Sequence, residues 1–451
     1  MTWHNSGFSR ITRGQWLIDY SGAVLSSWVA EASAGVILAI VLVFAIVRPR
    51  ELPEAVPAVP GAVVLCLLGA IGWSQAWSKV EQMLPTVLFL AGVLMLAHLC
   101  QAEGMFDLAG QLMARSSRGS PVRLLGLVFV AASVTTALLS LDATIVLLTP
   151  VIFTTASRVG ARPKPFIYGT AHLANSASLL LPVSNLTNLL ALTAVGLTFP
   201  RFAALMVGPW LTAIVVEYVV HRRYFATDLS VSSGPDNVDD EKLVVPVFSL
   251  VVLALTLAGF VVVSMLGVEP FWAALGGVGV ITAKRMLIGV SGRQPRVQEL
   301  KDLGGAANAW FLLFVMSLSV IVAAVVDNGV ASAMRRIIPD GRGLGSLILI
   351  TVIAAVLANL VNNLPAVLVM LPLVASSGPT VVLAVLIGVN VGPNLTYVGS
   401  LATLLWRRII AAHDHRSETS EFTKLGLITV PACLVLCTVA LWAAAKLMGL
   451  S

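Results

Sequence analysis

Leu139-Ser140-Leu141-Asp142-Ala143-Thr144 is a polar knot in an apolar run. Upstream, Leu124 to Leu138 is apolar apart from a few small residues; downstream, Ile145 to Phe153 is broken only by Thr149 and Pro150. A carboxylate there sits in hydrocarbon or in a protein-lined cavity, and either placement is costly unless partners or water receive it. Asp142 is therefore the first candidate functional residue. The competing reading is a carboxylate satisfied by neighbouring hydroxyls and retained for packing.

A second stretch has the same shape. Asn362-Asn363-Leu364-Pro365-Ala366 follows the apolar run Leu347 to Val361, so that Ser140 matches Asn362 and Pro150 matches Pro372, both 222 residues apart. Each knot has a companion downstream. Asn175-Ser176-Ala177-Ser178 with Pro182 to Leu190 lines up with Asn390-Val391-Gly392-Pro393 with Tyr397 to Leu405, now 215 apart. A loop seven residues longer around Arg158 to Lys164 than near Ser376 to Thr380 accounts for the change of offset. Two copies of a knot and an interrupted helix imply an internal duplication.

The 451 residues are 58% apolar and 11% charged, far outside the soluble range. The composition predicts an all-α polytopic membrane protein of about ten transmembrane helices plus two re-entrant hairpins, by the length needed to cross hydrocarbon. Candidate spans are Ala30 to Val47, Pro57 to Trp73, Leu84 to Cys100, Phe166 to Phe199 (interrupted), Phe202 to Val220, Leu243 to Leu266, Phe271 to Ala283, Ala306 to Val326, Val381 to Trp406 (interrupted) and Leu425 to Leu447. The expected organisation is an interfacial and peripheral segment over 1–83, a first repeat over 84–222 (tip 140–144, broken helix 166–199), and a linker with scaffold helices over 223–305. A second repeat follows over 306–411 (tip 362–366, broken helix 381–406), then a C-terminal helix over 412–451.

Positively charged loops stay in the cytoplasm. If the first span starts outside and each hairpin returns to its own side, cytoplasmic segments hold 20 of the 28 Lys and Arg residues. That arrangement gives the halves inverted topology and a multi-pass place in the bacterial plasma membrane. Arg335, Arg336 and Arg342 fall outside, where an amphipathic surface helix would carry them. The net charge of +6 is mostly this topological signal rather than a nucleic-acid footprint. Met1 to Ser33 lacks a signal-peptide core, and Trp3, Trp16, Tyr20 and Trp28 suit an interfacial segment.

Inverted repeats with paired tips and interrupted helices describe a secondary transporter whose site lies near the midplane. Pro182 and Pro393 remove backbone donors and Gly392 and Gly399 relax the second helix, freeing backbone groups to face a cavity. The candidate substrate residues are Ser140, Asp142, Thr144, Asn175, Ser184, Asn185, Asn188, Asn362, Asn363, Asn390, Asn394 and Ser400. About half of such polar residues are expected to glue helices together instead. No Lys or Arg falls among them, so the set suits a neutral hydroxylated solute, with Asp142 as the proton-coupling group. His172 is a candidate relay or a histidine bonded to a backbone carbonyl. His98 reads as structural, and Glu217 beside His221 and Arg222 as an interfacial ion pair. Cys433 and Cys437 share a helix face, and thiolates suit soft metals; buried packing is the competing reading. No phosphate loop and no zinc-ligand spacing is present, so neither an enzyme nor a cofactor is expected.

Four segments carry a resemblance: Ser140 to Pro150, Ala177 to Asn188, Asn362 to Pro365 and Gly399 to Trp406. Over Ala30 to Leu447 the chain resembles the ArsB-type arsenical pump membrane proteins, arsenite permeases of the ion transporter superfamily. The resemblance implies export of arsenite and antimonite, in exchange for protons or through a separate ArsA-type ATPase. It also implies an inverted-repeat core moving against a scaffold. Sodium-coupled dicarboxylate members of that superfamily have Ser-Asn-Thr at both tips. Ser140-Leu141-Asp142 and Asn362-Asn363-Leu364 depart from that pattern, which favours a proton. A sodium/proton antiporter and a passive channel for small hydroxylated solutes are the alternative readings; a monomer and a homodimer both fit the sequence.

Overall fold

The computed structural model describes residues 27–47, 49, 52–230, 243–288, 296–330, 337–339, 343–413, 415 and 417–450. The expected N-terminal interfacial aromatics Trp3, Trp16 and Tyr20, most of the linker, and Arg335, Arg336 and Arg342 lie outside the described residues. Described elements are helices and turns, with no extended strand among them. Nine are long and apolar enough to cross a membrane. Helices are the expected solution in hydrocarbon, because each satisfies its own backbone.

Four helices begin the chain: α1 (Ser27–Val47), α2 (Ala55–Leu67), α3 (Trp73–Ala102) and the amphipathic α4 (Met105–Ser117). The expected span Pro57 to Trp73 is realised as the shorter α2, 13 residues or about 20 Å long. Gly69 in the left-handed region stops it, its N–H reaching the Cys66 carbonyl while that of Ala70 reaches Leu65. This is how a glycine closes a helix end.

The first hairpin is α5 (Pro121–Leu138) and α6 (Leu141–Arg158). Within α6, Thr144–Leu148 forms a π-turn just ahead of Pro150, which has no N–H to return to the turn above. The first interrupted helix is α7 (Lys164–Ser176), two tight turns at Ala177–Leu179 and Pro182–Ser184, and α8 (Leu186–Val195). A long helix follows, α9 (Phe199–Tyr224).

After α10 (Val247–Met265), α11 (Phe271–Ile288) and α12 (Arg296–Ala306) comes α13 (Ala309–Val325), and the order repeats. The second hairpin is α14 (Leu344–Val361) and α15 (Asn363–Val374). The second interrupted helix is α16 (Pro379–Val391), turns at Gly392–Leu395 and Tyr397–Gly399, and α17 (Leu401–Ala412), followed by α18 (Thr419–Leu447). Thus helix, hairpin, broken helix and long helix occur twice in the same order.

The halves pack on each other through equivalent parts. α9 lies along α18, the long helix that closes each half, and α2, α3 and α13 pack together as a scaffold flanked by α1 and α11. In the second half α16 approaches α14 so closely that a Cβ on Gly388 would stand 2.3 Å from the Thr351 carbonyl. Glycine is needed there for space rather than for its backbone freedom.

Candidate functional site

The two hairpin tips and the two breaks come together. Ser140 and Asn362 end the first arm of each hairpin, and their backbones differ. Ser140 is extended and its Oγ accepts the Ala143 N–H at 3.1 Å. Asn362 has φ +77 and ψ 159, a region nearly confined to glycine that costs other residues about 1–3 kcal/mol. It is held there by its Nδ2 donating to the Val398 carbonyl at 3.1 Å, in the break opposite.

Each break is capped in the same way. The Asn185 side chain accepts the Thr187 N–H at 3.2 Å to start α8, and Ser400 Oγ accepts the Ala402 N–H at 3.2 Å to start α17. Capping of this kind fixes where a helix begins. Four helix N-termini, of α6, α8, α15 and α17, therefore face one small cavity of about 50 Å³. Its polar walls are Ser140, Asp142, Ser184, Asn185, Thr187, Asn363 and Ser400, and Phe89, Leu90, Val93 and Phe311 of the scaffold close it. That space holds on the order of four waters.

Asp142 is half-buried and stands in two cavities at once. The second is a vestibule of about 370 Å³ reaching Glu54, His98, Gln101 and Asn308 at the helix ends on one side. The Asp142 carboxylate has no hydrogen bond or ion pair among the described residues, and no Lys or Arg lines either cavity. What balances it are the partial positive charges of the helix N-termini. A separate cavity of about 570 Å³, lined by Lys79, Thr193, Ser319, Asp327 and Pro372 among others, reaches neither hairpin tip.

Six of the twelve candidate residues line the small cavity: Ser140, Asp142, Ser184, Asn185, Asn363 and Ser400. The other six lie behind it. Thr144 Oγ1 pairs with Thr136 Oγ1 at 2.7 Å, and Asn362 is tied to Val398. Asn390 Oδ1 accepts from Asn185 Nδ2 at 3.1 Å and Thr187 Oγ1 at 2.7 Å, while its Nδ2 donates to Asn188 Oδ1 at 2.8 Å. Asn175 Nδ2 donates to Thr403 Oγ1 at 3.1 Å and to Asn394 Oδ1 at 3.0 Å.

Asn175 to Thr403 and Asn390 to Asn188 are one bond seen twice, because adding 215 to 175 and 188 gives 390 and 403. Contacts that map onto themselves when the halves are exchanged are the mark of a two-fold interface.

Two readings change with the geometry. Glu217, expected at an interface, is fully buried, with its carboxylate 3.1 Å from His172 Nδ1 and 3.5 Å from His221 Nδ1. His172 bonds this carboxylate rather than a carbonyl. The available signal was the Glu217/His221 spacing of four on an otherwise apolar helix, which puts both on one face. His98 lines the vestibule. Cys433 and Cys437 are buried between α18 and α9, with Cys437 Sγ 3.3 Å from the Pro209 carbonyl, and line neither cavity at Asp142.

The sequence matches the citrate transporter family CitMHS over residues 36–403. It is 28% identical over 434 residues to the arsenical pump membrane protein of Escherichia coli strain K12, covering 89% of this chain and 96% of that one. It is 26% identical over 433 residues to the arsenical pump membrane protein of Yersinia enterocolitica, with the same coverage. The fold is similar to the crystal structure of the Alcanivorax borkumensis YdaH transporter, described as having an unusual topology. The TM-score is 0.58 at 13% identity, over 94% of this chain and 98% of that one.

Proposed function

We propose, from the premise that the chain belongs to the citrate transporter family CitMHS, that it is a secondary exporter of trivalent arsenite and antimonite that takes protons in exchange. The observation that carries this reading is the placement of Asp142. Among the described residues it is an acid without a hydrogen-bond or ion-pair partner, shared by a small cavity between both hairpin tips and a vestibule open on one side. The names of the curated relatives supply the solute. A neutral metalloid hydroxide needs donors and acceptors rather than a cation, and Asn185, Asn363, Ser184 and Ser400 supply them beside the carboxylate.

In this mechanism the proton and the solute compete for Asp142. From the outer side a proton neutralises the carboxylate, which removes a charge that hydrocarbon opposes. On the cytoplasmic side arsenite displaces the proton, bonding to Asp142, Asn185 and Asn363, while Asn390 holds Asn185 in place. The Lys and Arg distribution puts Glu54, Gln101 and Asn308 at the cytoplasmic ends of their helices, so the vestibule faces inward and the two halves have inverted topology. Exchange then proceeds by alternating which side reaches the site.

Citrate, the solute in the family description, is a poorer fit here. A tricarboxylate beside Asp142 gains the four helix ends but meets no Lys or Arg among the lining residues.

The test is arsenite uptake into everted membrane vesicles from an efflux-deficient host. Uptake is expected to require an acidified lumen, to collapse with an uncoupler and to be unaffected by excess citrate. Uptake that ignores the uncoupler defeats the exchange, dependence on a sodium gradient transfers the coupling to sodium, and competition by citrate reassigns the solute.

A further inference from the structure

Behind the α16–α17 break lies a group of titratable side chains that the mechanism above does not use. His172 on α7 and Glu217 and His221 on α9 are all fully buried. Glu217 accepts from His172 Nδ1 at 3.1 and 3.3 Å and from Asn394 Nδ2 at 3.1 Å. His221 Nδ1 is 2.8 Å from the Glu217 backbone carbonyl, and the two imidazoles stand edge to face with centroids 4.9 Å apart. Among the described residues neither buried Nε2 atom has a hydrogen-bond partner.

We propose that His172, Glu217 and His221 form a second proton-binding site of the transport cycle, connected to the two broken helices through Asn394. Each imidazole turns Nδ1 toward an oxygen, so each donates there and leaves the Nε2 lone pair free. With both imidazoles neutral and Glu217 ionised, the cluster holds one uncompensated negative charge in the protein interior, which is costly. A proton on either Nε2 cancels that charge and breaks none of the existing bonds. No proton equivalent is created or lost: the proton comes from water on one side and leaves to water on the other.

Among the described residues, no other charged group is paired with Glu217. On α7, Tyr168 precedes His172 by one turn and Lys164 is paired with Glu421 of α18 at 2.6 Å. Tyr168 donates to the same Glu421 at 3.3 Å. α5 presents the Phe129 ring to His221, α18 presents the Phe422 ring to His172, and the Cys433 thiol of α18 lies within electrostatic reach of Glu217. Arg222 and Arg223 of α9 are exposed.

The connection to the breaks is a line of hydrogen bonds. Asn394 Nδ2 donates to Glu217 and to the His172 carbonyl, and Asn394 Oδ1 accepts from Asn175, which also donates to Thr403. Cancelling the charge on the cluster weakens the charge-assisted bond to Asn394 and so acts on the turn between α16 and α17. A metal ion is a weaker reading, because Asn394 already donates into the carboxylate and both Nδ1 atoms are donors.

This inference rests on proton-coupled export, and two measurements keep the two apart. The first needs no arsenite: the ring signals of ¹³C-histidine in the full chain in nanodiscs, assigned with His172→Gln and His221→Gln, are followed against pH. One imidazolium shared by the two rings, lost in Glu217→Gln, is expected. Rings that stay neutral throughout, or a stoichiometric transition metal in the purified protein that disappears in His172→Gln, overturn the proposal. The second is arsenite accumulation at a fixed pH difference in reconstituted vesicles. Losing one coupled proton lowers the accumulation ratio by about tenfold per unit of pH difference in Glu217→Gln and His172→Gln, while arsenite self-exchange at equal pH persists. Variants with the wild-type ratio overturn the second site, whereas a wild-type chain that moves arsenite without protons defeats the exporter reading.

Discussion

The two hairpin tips occupy equivalent places and carry different chemistry. The first presents Asp142, unpartnered and half-buried, on an unstrained turn. The second presents two amides, with Asn362 forced to a positive φ and bound to Val398, while Asn363 Oδ1 accepts the Leu364 N–H at 2.9 Å. One copy of the duplicated unit therefore leaves a carboxylate facing the cavities. The other ties one atom of each amide to backbone, Asn362 Nδ2 to Val398 and Asn363 Oδ1 to Leu364, and turns Asn363 to the same cavity. The copies share an order of elements and differ at all three tip positions, Ser140 against Asn362, Leu141 against Asn363 and Asp142 against Leu364.

The largest effect is expected from erasing that difference. Asp142→Asn makes both tips amide-bearing and reduces gradient-driven arsenite uptake in everted vesicles to background, while the detergent-solubilised protein keeps its unfolding temperature. Asn363→Asp erases the difference in the other direction. A second carboxylate on the same cavity opposes ionisation of the first, so the site keeps its proton to higher pH and uptake, which requires arsenite to displace that proton, falls in acid and recovers at alkaline pH, as a pH series in the same vesicles would register.

The inner amides allow a sharper comparison. Asn390 serves three side-chain partners and its mate Asn175 serves two. Asn390→Ala therefore costs about 3 kcal/mol and Asn175→Ala about 2 kcal/mol, at about 1 kcal/mol for each buried group left unpaired. Equal losses by thermal unfolding would show that the copies are not distinguished there. Gly392→Ala, which copies the first half's Ala177 into the second, places a Cβ 2.7 Å from Ala355 Cα and costs about 2 kcal/mol through overpacking.

The smallest effect lies at a membrane surface, where the first half has an ion network. Burial alone would raise the Glu103 carboxyl, but bonds from Lys284, Ser249 and Arg285 outweigh it and hold it below the ordinary value of 4.5. A depressed carboxyl stabilises the fold above its ordinary value and loses that contribution as pH falls through the native one. Glu103→Gln is thus expected to cost about 1 kcal/mol at neutral pH, with the difference from wild type vanishing in acid.

Much of this was legible in the residues. The repeated knots and breaks gave the order of elements, since polar residues inside long apolar runs have few places to go. Six of the twelve candidate residues line the cavity. The remainder could not be separated from them, because Asn175 and Asn185 look alike in a chain and differ only in what faces them across the interface. The scaffold residues Phe89 and Phe311 gave no signal, being apolar residues among apolar residues. Glu217 was misplaced because nearness to Arg222 in sequence says nothing about the direction its side chain takes on α9.

The reciprocal pair formed by Asn175 with Thr403 and Asn390 with Asn188 bears on turnover. A carrier that alternates by letting its halves trade conformations must keep its two end states close in energy, or it stalls in one of them. A joint present in both copies biases the two states only by what differs between them, here an amide acceptor at Asn188 against a hydroxyl at Thr403. Such a fulcrum can be made as strong as folding requires without slowing the stroke.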